Sequence, residues 1–140
     1  PMKEKDCKEC VDFLKQFVPK IQPKNLFSFG EQIYQMPDQM PDIAGLKVLR
    51  PGLHLGTRKK NRFEPAHALA LALSKEDVRY SFDLSSESND IRAYLNGQTL
   101  NHNGEKGWYM ITVDGYSIGW GKLAGGIIKN HYPKGLRKNL

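Results

Sequence analysis

The chain has 140 residues, 39% of them hydrophobic and 26% charged, with a formal net charge of +6. Such a length holds one ordinary domain or two very small ones around a modest core. No window approaches the roughly 18 apolar residues that a membrane span requires, and residues 1–15 are charged throughout, unlike a signal peptide. The chain therefore reads as cytoplasmic, with no membrane partner. It starts at Pro1 with Met2 behind it, which points to a piece of a longer polypeptide. The charge is uneven, with six Lys/Arg against seven Asp/Glu in residues 1–44 and fifteen against eight in residues 45–140. A cationic later part attracts polyanions with salt-sensitive affinity, so nucleic acid is the leading partner class.

In residues 4–18 the apolar side chains Cys7, Cys10, Val11, Leu14, Phe17 and Val18 recur at three- and four-residue spacing, which predicts an amphipathic helix stopped by Pro19. Residues 26–29 and 32–35 flank Gly30 as a short hairpin, and a proline-spaced connector runs from Pro37 to Pro41. Strands are expected at 46–49 and 53–55, followed by a basic loop over Arg58, Lys59, Lys60, Asn61 and Arg62. A second helix is expected with Pro65 in its first turn and an apolar face of Ala66, Leu69, Ala70 and Leu73.

A strand over 79–84 is followed by serines that offer N-caps for a helix over 89–96, with Gly97 as its left-handed terminator. The remainder reads as β: 108–113, the turn Asp114-Gly115, 116–120, a second turn at Gly125-Gly126, and Ile127-Ile128. With that turn Val113 is expected to face Tyr116, Ile111 to face Ile118 and Tyr109 to face Trp120, so that six apolar side chains line one side of the ribbon, which is buried. The other side would carry Trp108 beside the bare backbone of Gly119 and Gly121, open to a strand, a helix or a nucleotide phosphate. No internal repeat or low-complexity tract occurs.

Catalytic chemistry finds little support. Cys7 and Cys10 have no second CxxC and their nearest histidine is His54, outside zinc-finger spacing; they fit better as reduced, buried helix residues. His54, His67, His102 and His131 form no i,i+4 pair. The glycines at 115, 119, 121, 125 and 126 lack the Gly-Lys-Ser/Thr ending of a phosphate loop. The chain by itself is therefore expected to have no catalytic residues, metal or cofactor. An N-terminal proline can act as a base, but for Pro1 a cut boundary explains more.

Binding chemistry is better represented. Lys122 and Lys129 flank the second turn, and Lys134, Arg137 and Lys138 close the chain with Trp120, His131 and Tyr132 interleaved. Cations neutralise phosphates and planar rings stack on bases. Lys59, Lys60 and Arg62 extend the same surface, the alternative being a merely solvated charged face.

Several longer words of the sequence are more specific. Residues 46–56 (LKVLRPGLHLG), 61–71 (NRFEPAHALAL), 94–97 (YLNG), 119–122 (GWGK) and 129–137 (KNHYPKGLR) together resemble the C-terminal region of the ribosomal RNA small subunit methyltransferase F family. The resemblance spans nearly all of residues 25–138. It implies an α+β fold: a helix-and-hairpin bridging segment over 1–80, then a PUA-like β pseudo-barrel over 81–140 that binds RNA. It further implies that this chain is a non-catalytic module contacting small-subunit ribosomal RNA. The cytosine-5 methylation and its S-adenosylmethionine would belong to a methyltransferase domain of the same polypeptide, absent here. Neither Asp6-Cys7 nor Glu9-Cys10 matches that family's cysteine nucleophile. The alternative is a protein–protein docking module, for a ribosomal protein or the catalytic domain, using Phe27, Phe29 and Tyr34.

Overall fold

The computed structural model of the protein describes residues 1–38 and 52–139. The expected strand at 46–49 and the later part of the proline connector lie outside the described residues. A 3-10 turn, Glu4–Cys7, leads into helix α1, Lys8–Phe17. Its three- and four-residue apolar spacing buries Cys10, Val11, Phe13, Leu14 and Phe17 on one stripe. The Val18 N–H still donates to the Leu14 carbonyl at 2.9 Å, and Pro19, with no N–H, cannot extend the series. Cys7 and Cys10 are both buried, and burial raises both thiol pKa values, that of Cys10 to about 12. They are neutral packing residues.

The first sheet is an antiparallel meander of β1 (Leu26–Phe29), β2 (Gln32–Gln35), β3 (Leu53–Lys59) and β4 (Arg62–Pro65). The predicted basic loop is instead a hairpin: Lys59 pairs with Arg62, leaving only Lys60 and Asn61 in the turn. Asn61 takes φ of +58°, a conformation its short polar side chain tolerates. Pro65 pairs with Gly56 at the end of β4, so it closes a strand rather than opening the helix. A proline is admissible there because β4 is an edge strand among the described residues. Helix α2, His67–Ala72, follows and buries Leu69 and Ala70.

The second sheet has strand order β5-β7-β8-β9-β6, from β5 (Ser81–Leu84), β6 (Leu100–Asn101), β7 (Gly107–Val113), β8 (Tyr116–Ala124) and β9 (Ile127–Asn130). Helix α3, Asn89–Leu95, joins β5 to β6. Strands β5 and β7 run parallel, and the other pairs are antiparallel. The Asp114-Gly115 turn forms as the dipeptide predicts, both residues at positive φ. The Asp83 carboxylate braces it, accepting from the Thr112 hydroxyl at 2.6 Å and the Gly115 N–H at 2.8 Å.

The predicted pairing holds only next to the turn. A bulge at Ile111/Thr112 shifts the register by one, so Ile111 faces Gly119, Met110 faces Trp120 and Tyr109 faces Gly121. Both faces of β7 are consequently buried, and no single stripe of six side chains exists. Trp108, Met110 and Trp120 share a core with α1, the first sheet and α2. Tyr109, Ile111, Leu123 and Ile128 pack with Leu84, Tyr94 and Leu100 on the other side. Tyr116, expected inside, is 78% exposed. The bare backbone at Gly119 and Gly121 is also taken: a Cβ there would meet the Tyr94 hydroxyl and the Ile128 side chain respectively. These glycines admit the protein's own side chains, which leaves no gap for a nucleotide.

Candidate nucleic-acid interface

Residues paired across neighbouring strands project on the same face. Trp108 on β7 pairs with Lys122 on β8, which pairs with Lys129 on β9, so these three side chains form a row. The next row, Met110 and Trp120, is buried. The Trp108 row emerges beside β4, which presents Arg62 and Glu64. His131 follows β9, its N–H donating to the Trp120 carbonyl at 3.2 Å.

A hollow of about 90 Å³ lies at this junction, lined by Arg62, Phe63, Glu64, Trp108, Lys122, Lys129 and His131. It shares Arg62, Glu64, Lys129 and His131 with a cleft of about 420 Å³ that continues to Lys59, Tyr132, Lys134 and Arg137. In the other direction it shares Trp108 and Lys122 with clefts of about 220 and 280 Å³ that run along Gln16 and Phe17 of α1, the latter reaching Lys106. The four hollows make one trough in which cations outnumber the acidic residues Glu64 and, on the α1 side, Glu9 and Asp12. A further hollow of about 440 Å³ lies between residues 20–24 and 35–38; its Lys24 is paired with Asp38 at 3.0 Å, and it lies apart from this cluster.

Glu64 is the acidic residue at the centre of the trough. Its carboxylate meets the Lys59 ammonium at 2.9 Å and His131 Nδ1 at 3.4 Å. Burial works against the charged carboxylate, but Lys59 and His131 outweigh it and hold its pKa below the ordinary value. For His131 the balance runs the other way: burial, helped by Lys129 and Lys122, depresses its pKa despite the pull of Glu64. The His131 ring lies edge-on to the Trp108 ring at 4.5 Å, and the Lys122 ammonium sits 5.3 Å over that indole. Arg62, Lys122, Lys129 and Lys134 make no ion pair among the described residues.

Of the residues singled out from sequence, Lys59, Arg62, Lys122, Lys129, His131, Tyr132, Lys134 and Arg137 all line the trough. Lys60 does not: it is exposed at the tip of the β3–β4 hairpin. Trp120 does not reach the surface at all. It is 1% exposed, and its indole N–H donates to the Ala66 carbonyl at 2.9 Å, so it offers no ring face to a base. Tyr132 and Arg137 are partly committed to the fold. The Tyr132 ring packs on Tyr94 and His67 at 5.4 and 5.6 Å, while the Arg137 side chain lies against Gly97 and donates from Nε to the Tyr132 carbonyl at 3.2 Å. Sequence reasoning missed Glu64 and Trp108. The alternation that puts Arg62 and Glu64 on one side of β4 is readable once that strand is recognised. Trp108 keeps the side of β7 expected of it, and the bulge changes only its partner across the hairpin, which becomes Lys122.

Architecture and charge define a small α+β module in which two curled sheets share a core and carry a basic trough at their junction. Residues 12–73 match the family described as the RsmF rRNA methyltransferase first C-terminal domain, and residues 80–138 match the methyltransferase RsmF PUA domain. The chain belongs to the C-terminal region of the RsmF rRNA methyltransferase family, and its second sheet is the PUA-like half-barrel that the sequence words implied. No helix among the described residues is long and apolar enough to cross a membrane.

Proposed function

We propose that the chain is the RNA-gripping module of a ribosomal RNA methyltransferase, holding small-subunit ribosomal RNA in its basic trough for cytosine-5 methylation. In this reading the cysteine chemistry and S-adenosylmethionine belong to the methyltransferase domain of the same, cytoplasmic polypeptide. Residues 1–80 bridge to that domain and residues 81–140 carry most of the RNA contacts. The observation that carries the proposal is the run of cations Lys134, Lys129, Arg62, Lys122 and Lys106 along connected hollows whose central acid, Glu64, is already paired with Lys59 and His131, on a chain whose second half matches a PUA domain. Neutralising phosphates along such a line releases counterions, so binding should weaken steeply with salt.

Fluorescence anisotropy of a labelled small-subunit ribosomal RNA fragment, titrated with the chain at several salt concentrations, tests this. Binding with a negative slope of log affinity against log salt is expected; no binding, or binding indifferent to salt, refutes it. In the enzyme that carries this region, deleting it should raise KM for RNA and leave KM for the methyl donor unchanged.

A second reading has one observation in its favour. Phe29 is 62% exposed at the end of edge strand β1, with Tyr34 edge-on to it at 5.6 Å. That patch suits docking of the catalytic domain, and Phe29→Ser should then weaken domain association without changing RNA affinity.

A further inference from the structure

The trough is not uniform along its length, and its narrowest part has features of a discrete anion site. Lys122 and Lys129 stand directly opposite each other on β8 and β9, a cross-strand arrangement that like charges normally destabilise. Neither finds an acidic partner among the described residues, and Arg62 in the same hollow also lacks one. Three cations thus line about 90 Å³ with a single carboxylate, Glu64, which is already engaged by Lys59 and His131.

His131 completes the lining. Its side chain is 18% exposed, and Glu64 engages its Nδ1 edge. Its Nε2 has no protein partner among the described residues and is not sealed from solvent. The hollow is several times smaller than the cleft beside it, which suits a tetrahedral group better than a base.

Building on the RNA-binding reading above, we propose that this hollow is a phosphate site. It seats one internal phosphodiester of the RNA between Arg62, Lys122 and Lys129, with His131 as the fourth ligand, taking up a proton from solvent as the phosphate enters. The phosphodiester stays intact; one proton from the buffered solvent forms an N–H bond on the imidazole, giving imidazolium.

The groups facing His131 account for its behaviour. Glu64 on β4 favours the charged ring, whereas Lys122 on β8, Lys129 on β9 and burial against Trp108 on β7 oppose it. Lys59 on β3 shares the Glu64 carboxylate, and Arg62 on β4 adds a further positive charge. Without an anion the neutral ring prevails. A phosphate cancels the lysine repulsion and tips the balance toward imidazolium, so affinity rises as pH falls. The Glu64 carboxylate holds the ring in place and lies to its Nδ1 side, leaving Nε2 for the ligand.

The test uses the whole chain and two probes, an unstructured RNA oligonucleotide with 5′-hydroxyl ends and sulfate, whose charge is constant over the range. RNA affinity should rise about three- to tenfold between about pH 8 and pH 6 at fixed ionic strength, the scale of one linked proton. His131→Gln should abolish that rise while retaining a folded far-UV spectrum, and Lys122→Gln should reduce both affinity and rise. Sulfate should move the His131 ring resonances and raise the pH at which they titrate. RNA binding with a flat pH profile, or a rise retained in His131→Gln, overturns the site. If RNA fails to bind at any pH but sulfate still shifts His131, the phosphate site stands and the RNA reading falls. If sulfate leaves His131 unmoved, the site falls whatever RNA does.

Discussion

Neutralising the two opposed lysines is the most informative perturbation of the trough. In Lys122→Gln/Lys129→Gln each substitution removes one cation from a position facing the other across β8 and β9, so at most two phosphate contacts are lost. On single-stranded nucleic acid each contact contributes about 0.7 to the slope of log affinity against log salt, so the slope should become shallower by about 1.4. At about 0.1 M salt this corresponds to a roughly 25-fold weaker affinity, about 2 kcal/mol, narrowing to about fivefold near 0.3 M. The fold itself should be intact or stabilised by a few tenths of a kcal/mol, because the cross-strand repulsion disappears. Anisotropy titrations across salt concentrations, paired with urea denaturation, separate these effects. An unchanged slope, or an equal loss of affinity at every salt concentration, would refute the electrostatic reasoning.

Other consequences follow from the core and from the titrating groups. Trp120→Phe deletes one of three donors to the Ala66 carbonyl at the head of α2, which keeps the Leu69 and Ala70 N–H groups; the loss is therefore mainly the gap left in the core, which should cost about 1–3 kcal/mol in urea denaturation, and a loss below about 1 kcal/mol would mean that the shared core is not continuous. Burial keeps His67 and His131 below the ordinary histidine value of 6.5, so the folded state prefers the neutral rings. Their contribution is complete above that value and lost as pH falls through and below it. Glu64, held below 4.5 by Lys59 and His131 against its own burial, contributes stability that is present above that value and lost as pH falls below it. Denaturation midpoints should therefore decline in two stages on acidification, and His67→Gln/His131→Gln should flatten the upper one. Gly97, with φ of +90° and the Arg137 side chain in the space of a Cβ, should not tolerate alanine. Gly97→Ala is expected to cost about 1–2 kcal/mol and to speed amide exchange at Lys138, whose N–H donates to the Leu95 carbonyl at 2.9 Å.

Local signals in the sequence carried much of the fold. The Asp114-Gly115 turn, the amphipathic spacing of α1 and the Gly97 terminator each depend on neighbouring residues, and each lies where those residues put it. What escaped was the consequence of one extra residue. A bulge at Ile111/Thr112 leaves the apolar pattern of β7 unchanged because both of its faces are buried, so alternation cannot reveal the slip. That slip changes the partners across the hairpin, so that Trp120 faces Met110 in the shared core and Trp108, 6% exposed, faces Lys122 at the trough wall.

Pro65 misled for a related reason. It suits the first turn of a helix and the end of an edge strand equally, and only the pairing of β4 with β3 decides between them. The basic residues were legible as a list but not as a site. Lys59, Arg62 and Glu64 reach Lys129 and His131 only because the first sheet packs on the second, a contact between distant segments that no local pattern encodes.

Whether RNA lies in this trough can be read directly by ultraviolet crosslinking of a 4-thiouridine-substituted small-subunit ribosomal RNA fragment to the whole chain, with the attached peptides mapped by mass spectrometry. The crosslinks should concentrate on the peptides carrying Arg62, Trp108, Lys122 and 129–134, and fade as salt is raised. Crosslinks concentrated instead at Phe29 and Tyr34, or on the far face around Tyr80 and Phe82, would contradict the assignment of the trough.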